Sequence, residues 1–394
     1  MNIRKITFGN FKSLYNAAFE PGKVNVFIGA NGSGKTTILE AIGLLSAAMT
    51  DRVDSSSLQR KGVRLSIPSL YKSSFKDLKR QRSMIDLSLE WEDDCCTDKF
   101  RYDVHLTTPT DTDYWKYHSE AFLQNGEKIW GRSNASQQQS NSYIGFFLID
   151  NDPELTTGHK IAEDFSSYGI FQPNTLTLRG TIPDPNQVSP VGLNGGRLAE
   201  AIRTLIHEND GDLFFGNLYM DDILDMIDWA SDISVDTPKK TTINANIPTT
   251  RQVIEFTDRY MKDTARFTGY DASEGALYVL FMLTLAMHPM GPSIFSVDSF
   301  DHALNPRLAK KMIQVFCEQI IQNNKHVFLT THNPLVLDGL DLQNDDIRLF
   351  AVDRDSNGYA QIRRISVSQE LIDEGLPLSR LWISGRLGGV PSLL

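Results

Sequence analysis

The sequence predicts an α/β fold, and three observations carry that reading. A short apolar strand, Val24 to Ile28, runs into the glycine loop Gly29-Ala-Asn31-Gly32-Ser33-Gly34-Lys35-Thr36 and then into an apolar helix. The C-terminal third alternates strand-like and helical runs. Between these lies a stretch of alternating segments of the kind that form antiparallel strands.

The elements follow in order. Residues 2 to 28 hold two or three strand-like runs, the last ending in glycine. Lys35 to Met49 reads as a helix with Ile38, Leu39, Ile42 and Leu45 on one face. Residues 84 to 148 read mostly as strands, in the runs MIDLSLEW, FRYDVHL and YIGFFLI, with the low-complexity SNASQQQSNS (133–142) as a loop. GGRLAEAIRTLI and DDILDMIDWA give 195–235 a helical period. Ala276 to Met287 is an apolar helix, and Ile294 to Val297 a buried strand. Pro306 to Ile321 is a helix, and His326 to Leu329 a second strand. Asn357-Gly358 marks a hairpin turn. No heptads or internal repeats are visible. The expected division is 1–50 and 255–394 as two parts of one head, 51–150 as a basic segment with a β-rich insertion, and 151–254 as a mainly helical insertion.

Composition excludes several classes. The formal charge of −10 over 394 residues is not that of a protein coated onto phosphate backbone. Arg4 and Lys5 are followed by no apolar run, so a secretory signal is not expected. The longest apolar stretch, 276–287, falls short of the ~20 residues that span a membrane. Cys95, Cys96 and Cys317 form no CxxC pair, which points to a reducing, cytoplasmic setting without a cysteine zinc site. One segment departs from the acidic average. Residues 51–82 carry nine basic and three acidic side chains. That run is either a solvated loop, a contact for an acidic partner, or a surface for DNA.

The glycine loop fits GxxxxGK[ST]. Glycines let the backbone turn tightly enough for several N–H groups to face one phosphate, and the following helix adds its positive end. Asn31, Gly32, Ser33, Gly34, Lys35, Thr36 and Thr37 are therefore the candidate nucleotide contacts. Lys35 reaches the β- and γ-phosphates, and Thr36 holds Mg²⁺.

Three further features each have a plain structural reading. Ser273-Glu274-Gly275 opens the apolar helix and is either an N-cap or a second anion site. Asp298 ends a buried strand, as a Mg²⁺-binding carboxylate beside a phosphate loop must, or caps a turn. His332 follows another buried strand, as a γ-phosphate sensor or a satisfied strand-end histidine.

Taken in order, these motifs resemble the ABC-type ATPase heads of the SMC/RecF/OLD group. Asn10-Phe11-Lys12-Ser13 is similar to that group's N-terminal strand motif. Leu304-Asn305-Pro306-Arg307-Leu308 is similar to the turn after its Walker B strand, with Asn305 where His is usual. The tail Leu381 to Gly389 resembles the ending of compact bacterial members. The resemblance covers 1–50 and about 255–394, and it implies a mixed sheet with helices on both faces, an antiparallel β lobe and a helical insertion. It also implies a head-to-head homodimer around two ATP molecules with Mg²⁺ on Thr36 and Asp298. Ser273, Glu274 and Gly275 would then meet the partner's nucleotide, with Lys12 near the nucleotide and His332 sensing its γ-phosphate. Gln172 is one candidate for a glutamine Mg²⁺ ligand.

One departure matters. The family glutamate after the Walker B aspartate is Ser299 here, and a serine hydroxyl cannot accept a proton near neutral pH. Asp301 could act through a water or cap the following turn. The expectation is slow hydrolysis, with Asp298, Ser299, Asp301 and His332 as the catalytic set. The switch would control a DNA-directed, nuclease or other effector partner in genome maintenance or anti-phage defence. Alternatives are a non-hydrolysing ATP sensor or scaffold and a transport ATPase subunit. Asp353-Arg-Asp355 runs into a turn and reads as structural, not as a nuclease metal pair. His105, His118, His159 and His207 form no metal spacing and read as structural, and Trp91, Trp115 and Trp130 as core or sheet surface.

Overall fold

The computed structural model describes residues 2–50, 52–92, 98–110, 113–132, 140–142, 163–244, 246–247, 250–262, 266–366 and 375–390. The YIGFFLI run, most of the 133–142 loop, Cys95, Cys96 and His159 lie outside the described residues.

The chain opens with β1 (Asn2–Gly9), β2 (Ala17–Phe19) and the fully buried β3 (Val24–Ile28). Helix α1 (Lys35–Thr50) follows. Short helices α2 (Ser55–Arg60) and α3 (Pro68–Tyr71) carry the basic segment. β4 (Met84–Glu92), β5 (Lys99–Thr107), β6 (Lys116–Gln124) and β7 (Glu127–Arg132) alternate buried and exposed residues. They pair with the N-terminal strands in an antiparallel sheet of order β2-β1-β4-β5-β6-β7.

The second six-stranded sheet is central. It uses β3 with β8 (Ile170–Phe171), β15 (Ile294–Val297), β16 (His326–Thr330), β17 (Ile347–Arg354) and β18 (Ala360–Ile365). Its order is β18-β17-β3-β16-β15-β8, with every pairing parallel except β17–β18. Parallel strands align their carboxyl ends along one edge, so the residues after β3, β8, β15 and β16 meet there.

The two six-stranded sheets share α1. The sequence expectation put one apolar face on this helix. Instead Ile38 to Met49 are buried on every side, because α1 is clasped between both sheets. Tyr102 and Tyr117 of the β lobe both donate to Ala48 O, and Tyr168 before β8 donates to Leu39 O. Phe19, Phe27, Phe328 and Phe350 form an edge-to-face and stacked cluster joining β2 to the central sheet.

The expectation of a mainly helical 151–254 is corrected. Among the described residues, helices Leu198–Leu205 and Met220–Met226 alternate with β9 (Ile206–Asn209), β10 (Asp212–Phe215) and β11 (Leu218–Tyr219). β12 (Ala230–Asp236) then pairs with β13 (Val253–Asp258), which pairs with β14 (Arg266–Thr268). The signal passed over is Asp210-Gly211, a two-residue hairpin loop with φ of 52° and 88° that ends the helical period.

The Glu274–Met287 helix lies in the core, with Ala276 to Met287 all buried. Its C-terminal carbonyls at Leu285 and His288 accept from the buried Lys325 ammonium, which satisfies groups a helix end otherwise leaves orphaned. The Pro306–Gln322 helix is capped by Asn305. Leu283 is wholly inaccessible in this core. Leu283→Ala is therefore expected to cost about 2–5 kcal/mol, read as a lower urea midpoint at unchanged m-value.

Candidate functional site

The site forms where the carboxyl edge of the central sheet meets the start of α1. Gly32 and Gly34 hold φ of 76° and 119°. A Cβ on Gly34 would sit 2.9 Å from Ser13 Oγ and 3.2 Å from Ala360 Cβ, so only glycine fits the loop there. Asn31 and Gly32 are exposed at the tip. Lys35 is buried, and its ammonium donates to Gly29 O at 2.7 Å and Ala30 O at 3.0 Å. Burial lowers its pKa to about 8, against the opposing pull of Asp298 and Asp301. Ser33 Oγ is buried without a hydrogen-bond partner.

Asp298 is the hub. Thr36 Oγ1 donates to it at 3.0 Å, Thr330 Oγ1 at 2.5 Å and Gln172 Nε2 at 3.2 Å. Gln172 reaches this point because β8 pairs with β15, which also lets Asp298 N–H donate to Phe171 O at 3.1 Å. Thr330 was not singled out from sequence. Its signal was a hydroxyl residue at the end of a buried strand, two positions before His332.

Ser299 follows in left-handed backbone, with φ of 63°. Its N–H donates to Thr330 Oγ1 at 2.8 Å, and its carbonyl accepts from Tyr278 Oη at 3.1 Å. The strained turn is thus held at both ends. Thr330 joins this turn to the hub, since one hydroxyl donates to Asp298 and accepts from Ser299.

Asp301 does not cap the turn after it with its side chain. Its Oδ1 accepts from Thr331 Oγ1 at 2.8 Å and from His332 N–H at 3.1 Å, so it braces the histidine segment. The His332 side chain is close enough to Lys35 to feel its charge. Burial first, then Lys35, lowers its pKa, while Asp301 and Asp298 oppose.

Lys12 is engaged with α1, its Nζ 2.6 Å from Glu40 Oε2. Glu40 is a buried carboxylate on α1 that also binds Arg64 Nε at 2.7 Å. Burial alone would raise its pKa, but the hydrogen bonds and charges of Arg64 and Lys12 outweigh that and lower it. The basic segment is therefore partly spoken for. Lys61 is buried, and Arg82 stacks on Tyr15 and donates to Asn16 Oδ1.

Ser273 caps its helix, accepting from Ala276 N–H at 3.3 Å. Glu274 accepts from Thr175 Oγ1 and lies 3.4 Å from His302 Nε2. Arg179 donates to Ala272 O at 3.1 Å. Among the described residues no hydrogen bond of Ser273 or Glu274 reaches the phosphate loop. Gly275 and Ser273 instead line a cavity of about 680 Å³ with Trp229, Arg307 and Lys311. Asp353 accepts from Gly389 N–H, and Asp355 from Asn357 and Tyr359 N–H, as structural braces. No group of three metal-ligating side chains occurs among the described residues.

These residues fit a nucleoside triphosphate with Mg²⁺. The Lys35 ammonium has only loop carbonyls, Ser33 Oγ has no partner, and a hydroxyl–carboxylate pair stands beside them.

Two family models match the chain. Residues 1–157 match the model described as an AAA ATPase domain. Residues 137–338 match a model described as an AAA domain and linked in that description to the AbiEii toxin and the Type IV TA system. Short stretches are similar to proteins called "DNA replication and repair protein RecF". The first, from Phocaeicola vulgatus, is 36% identical over 76 residues, and the second, from Renibacterium salmoninarum, 44% over 55. Those stretches are 18% and 14% of this chain, and the match spans only 20% and 14% of the relatives' own length. Among solved structures, an Smc head domain with a coiled coil and joint from Pyrococcus yayanosii matches at TM-score 0.50 and 10% identity. It covers 97% of this chain and 99% of that one, and shows the fold alone. The SMC head domain from Thermotoga maritima matches at TM-score 0.48 and 14% identity, over 93% and 100%. With just over half its length inside the second model, the chain belongs to this AAA domain family, and its architecture is that of an SMC/RecF-like ATPase head.

Two outcomes are expected of the site. Thr330→Val keeps the shape and removes the hydroxyl, and should cost about 1–3 kcal/mol in thermal unfolding. It should also raise the Mg²⁺ concentration that half-saturates nucleotide binding, with Thr330→Ser restoring both. Lys35 is half-protonated at about pH 8 in the free protein. Triphosphate binding near pH 9 should therefore take up a proton, and this uptake should vanish in Lys35→Met when calorimetry is compared across buffers.

Proposed function

We propose that this member of the AAA domain family is a slow ATP-driven switch. In this reading ATP with Mg²⁺ binds the 29–37 loop and closes two chains head to head. The observation that carries it is the Asp298 hub, with Thr36, Gln172 and Thr330 converging on one carboxylate beside the phosphate loop.

The chemistry follows from the residues. Backbone N–H groups of the loop, Ser33 Oγ and Lys35 hold the phosphates. Thr36 and Asp298 would hold the metal, with Gln172 donating to the same carboxylate. Bound there, it would help to neutralise phosphate charge. His332 lies on the γ-phosphate side of the loop in this reading, and burial and the nearby Lys35 charge lower its pKa in the free protein. Ser299 supplies no base, so water is oriented without being deprotonated. The Ser273 helix start faces an open cavity, which supports a role in trans, toward nucleotide held by the partner.

The downstream partner is DNA-directed or an effector. Arg82 stacks on Tyr15, whose ring stacks on Tyr359 with centroids 5.1 Å apart, and exposed Lys76, Lys79 and Arg80 follow Phe75, which packs on Tyr359, with Asp77 among them accepting from the Tyr359 hydroxyl. Cations interleaved with aromatics are the arrangement that nucleic acids use. The RecF relatives and the Type IV TA description support that direction. No helix among the described residues is long and apolar enough to cross a membrane.

A second reading is a non-hydrolysing sensor. It is favoured by the engagement of Asp301 with Thr331 and His332, which leaves that carboxylate occupied.

Size-exclusion chromatography with light scattering should show a dimer with ATP and Mg²⁺. The dimer should be absent with ADP, in Lys35→Ala and in Ser273→Arg. Steady-state turnover should be slow and should rise roughly 10²-fold or more in Ser299→Glu, the size of a general-base contribution. Wild-type turnover indistinguishable from Lys35→Ala would establish the sensor instead.

A further inference from the structure

The basic segment does not serve the nucleotide edge alone. Thr50 ends α1, while Ser166–Tyr168 and Met290–Pro292 lead into β8 and β15. All three therefore lie at the amino ends of the central strands. A 16-residue helix separates them from the phosphate loop by about 24 Å. A cavity of about 440 Å³ opens at this far edge, with Arg52, Arg60 and Lys61 in its wall.

Lys61 is the unusual member. It is buried, and its ammonium donates to the backbone carbonyl of Ser166. Burial first, and then the charge of Arg60, lower its pKa to about 8, with no carboxylate among the described residues opposing. Lys325, another buried lysine with a similar shift, satisfies two carbonyls at a helix end. Lys61 has one carbonyl, a neighbouring arginine and open space. Among the described residues one acid lines the wall, Asp54, and it already accepts from Ser57 N–H as the cap of α2. An ammonium taken out of water without a counter-ion is costly, and an anion in the cavity removes that cost.

We propose that this cavity is a second anion site, distinct from the phosphate loop, that takes a small phosphorylated ligand against Lys61, Arg60 and Arg52. Guanidinium forks pair with phosphate oxygens in planar, bidentate geometry. Arg52 is held in place by stacking on Tyr114, 4.3 Å from its ring centroid. The volume lies within the roughly 300–1,000 Å³ of small-molecule sites and exceeds what one inorganic ion fills. A ligand seated here rests against the last turn of α1, the helix whose first turn carries Lys35 and Thr36. The inference does not depend on ATP turnover or on dimerisation.

The test uses the full chain carrying Lys35→Ala, which disables the phosphate loop. Thermal unfolding is followed against inorganic phosphate, pyrophosphate and adenosine monophosphate at constant ionic strength. A saturable rise in midpoint is expected, as linkage requires of a ligand that binds the folded state. It should be lost when Lys61→Met is added. It should need at least ten-fold more ligand when Arg60→Gln, an exposed and fold-neutral change, is added instead. Lys240→Gln, an exposed lysine elsewhere, should leave it unchanged. Stronger binding of the nucleotide than of pyrophosphate assigns a nucleotide ligand, and the reverse order assigns a free phosphate. No saturable response to any of the three anions overturns the proposal, as does an equal response in the Lys61→Met and Arg60→Gln chains.

Discussion

The hydrogen bonds that converge on Asp298 organise the head. One carboxylate accepts from Thr36 on α1, Gln172 after β8 and Thr330 at the end of β16. These donors are far apart in the chain and meet because parallel strands bring their carboxyl ends to one edge. The strand order β3-β16-β15-β8 therefore determines the chemistry as well as the shape. Removing any donor leaves a buried anion short of partners, which costs more than the bond it made.

The same hub explains the strained backbone beside it. Ser299 sits in a left-handed conformation that an L-residue adopts at some cost. Thr330 and Tyr278 grip its N–H and carbonyl, and Asp301 fastens the His332 segment to the same turn. Ser299 is thus set in a rigid frame. Lys35 and Lys61 stand at the two ends of α1, both desolvated, both lowered to about 8 and, among the described residues, both lacking a carboxylate at bonding distance. Such cations mark places where the folded chain is electrostatically incomplete without an anion.

Much was legible because it is local. The strand–loop–helix around Lys35, the Ser273 cap, the two buried strands ending at Asp298 and Thr330 and the hairpin at Asn357-Gly358 all announce themselves by period and turn chemistry. The 195–235 region was misread for an equally local reason. A helical period on either side hid Asp210-Gly211, whose positive φ values reverse the chain into a hairpin. Charge was the least legible quantity. A run of basic residues reads alike whether its members lie in water, pair with Glu40 or are buried like Lys61.

By itself the sequence determined the phosphate loop, the order of the motifs after it and that the residue following Asp298 is a serine, which accepts no proton near neutral pH. Each depends on residue type and short spacing. Only the tertiary structure decided that Gln172 is the glutamine at Asp298, that Thr330 joins the hub to Ser299, and that Asp301 braces His332. It also placed Lys61 in a cavity at the far edge of the sheet. These facts depend on strand pairing and burial, which bring together residues from 30 to 126 positions apart.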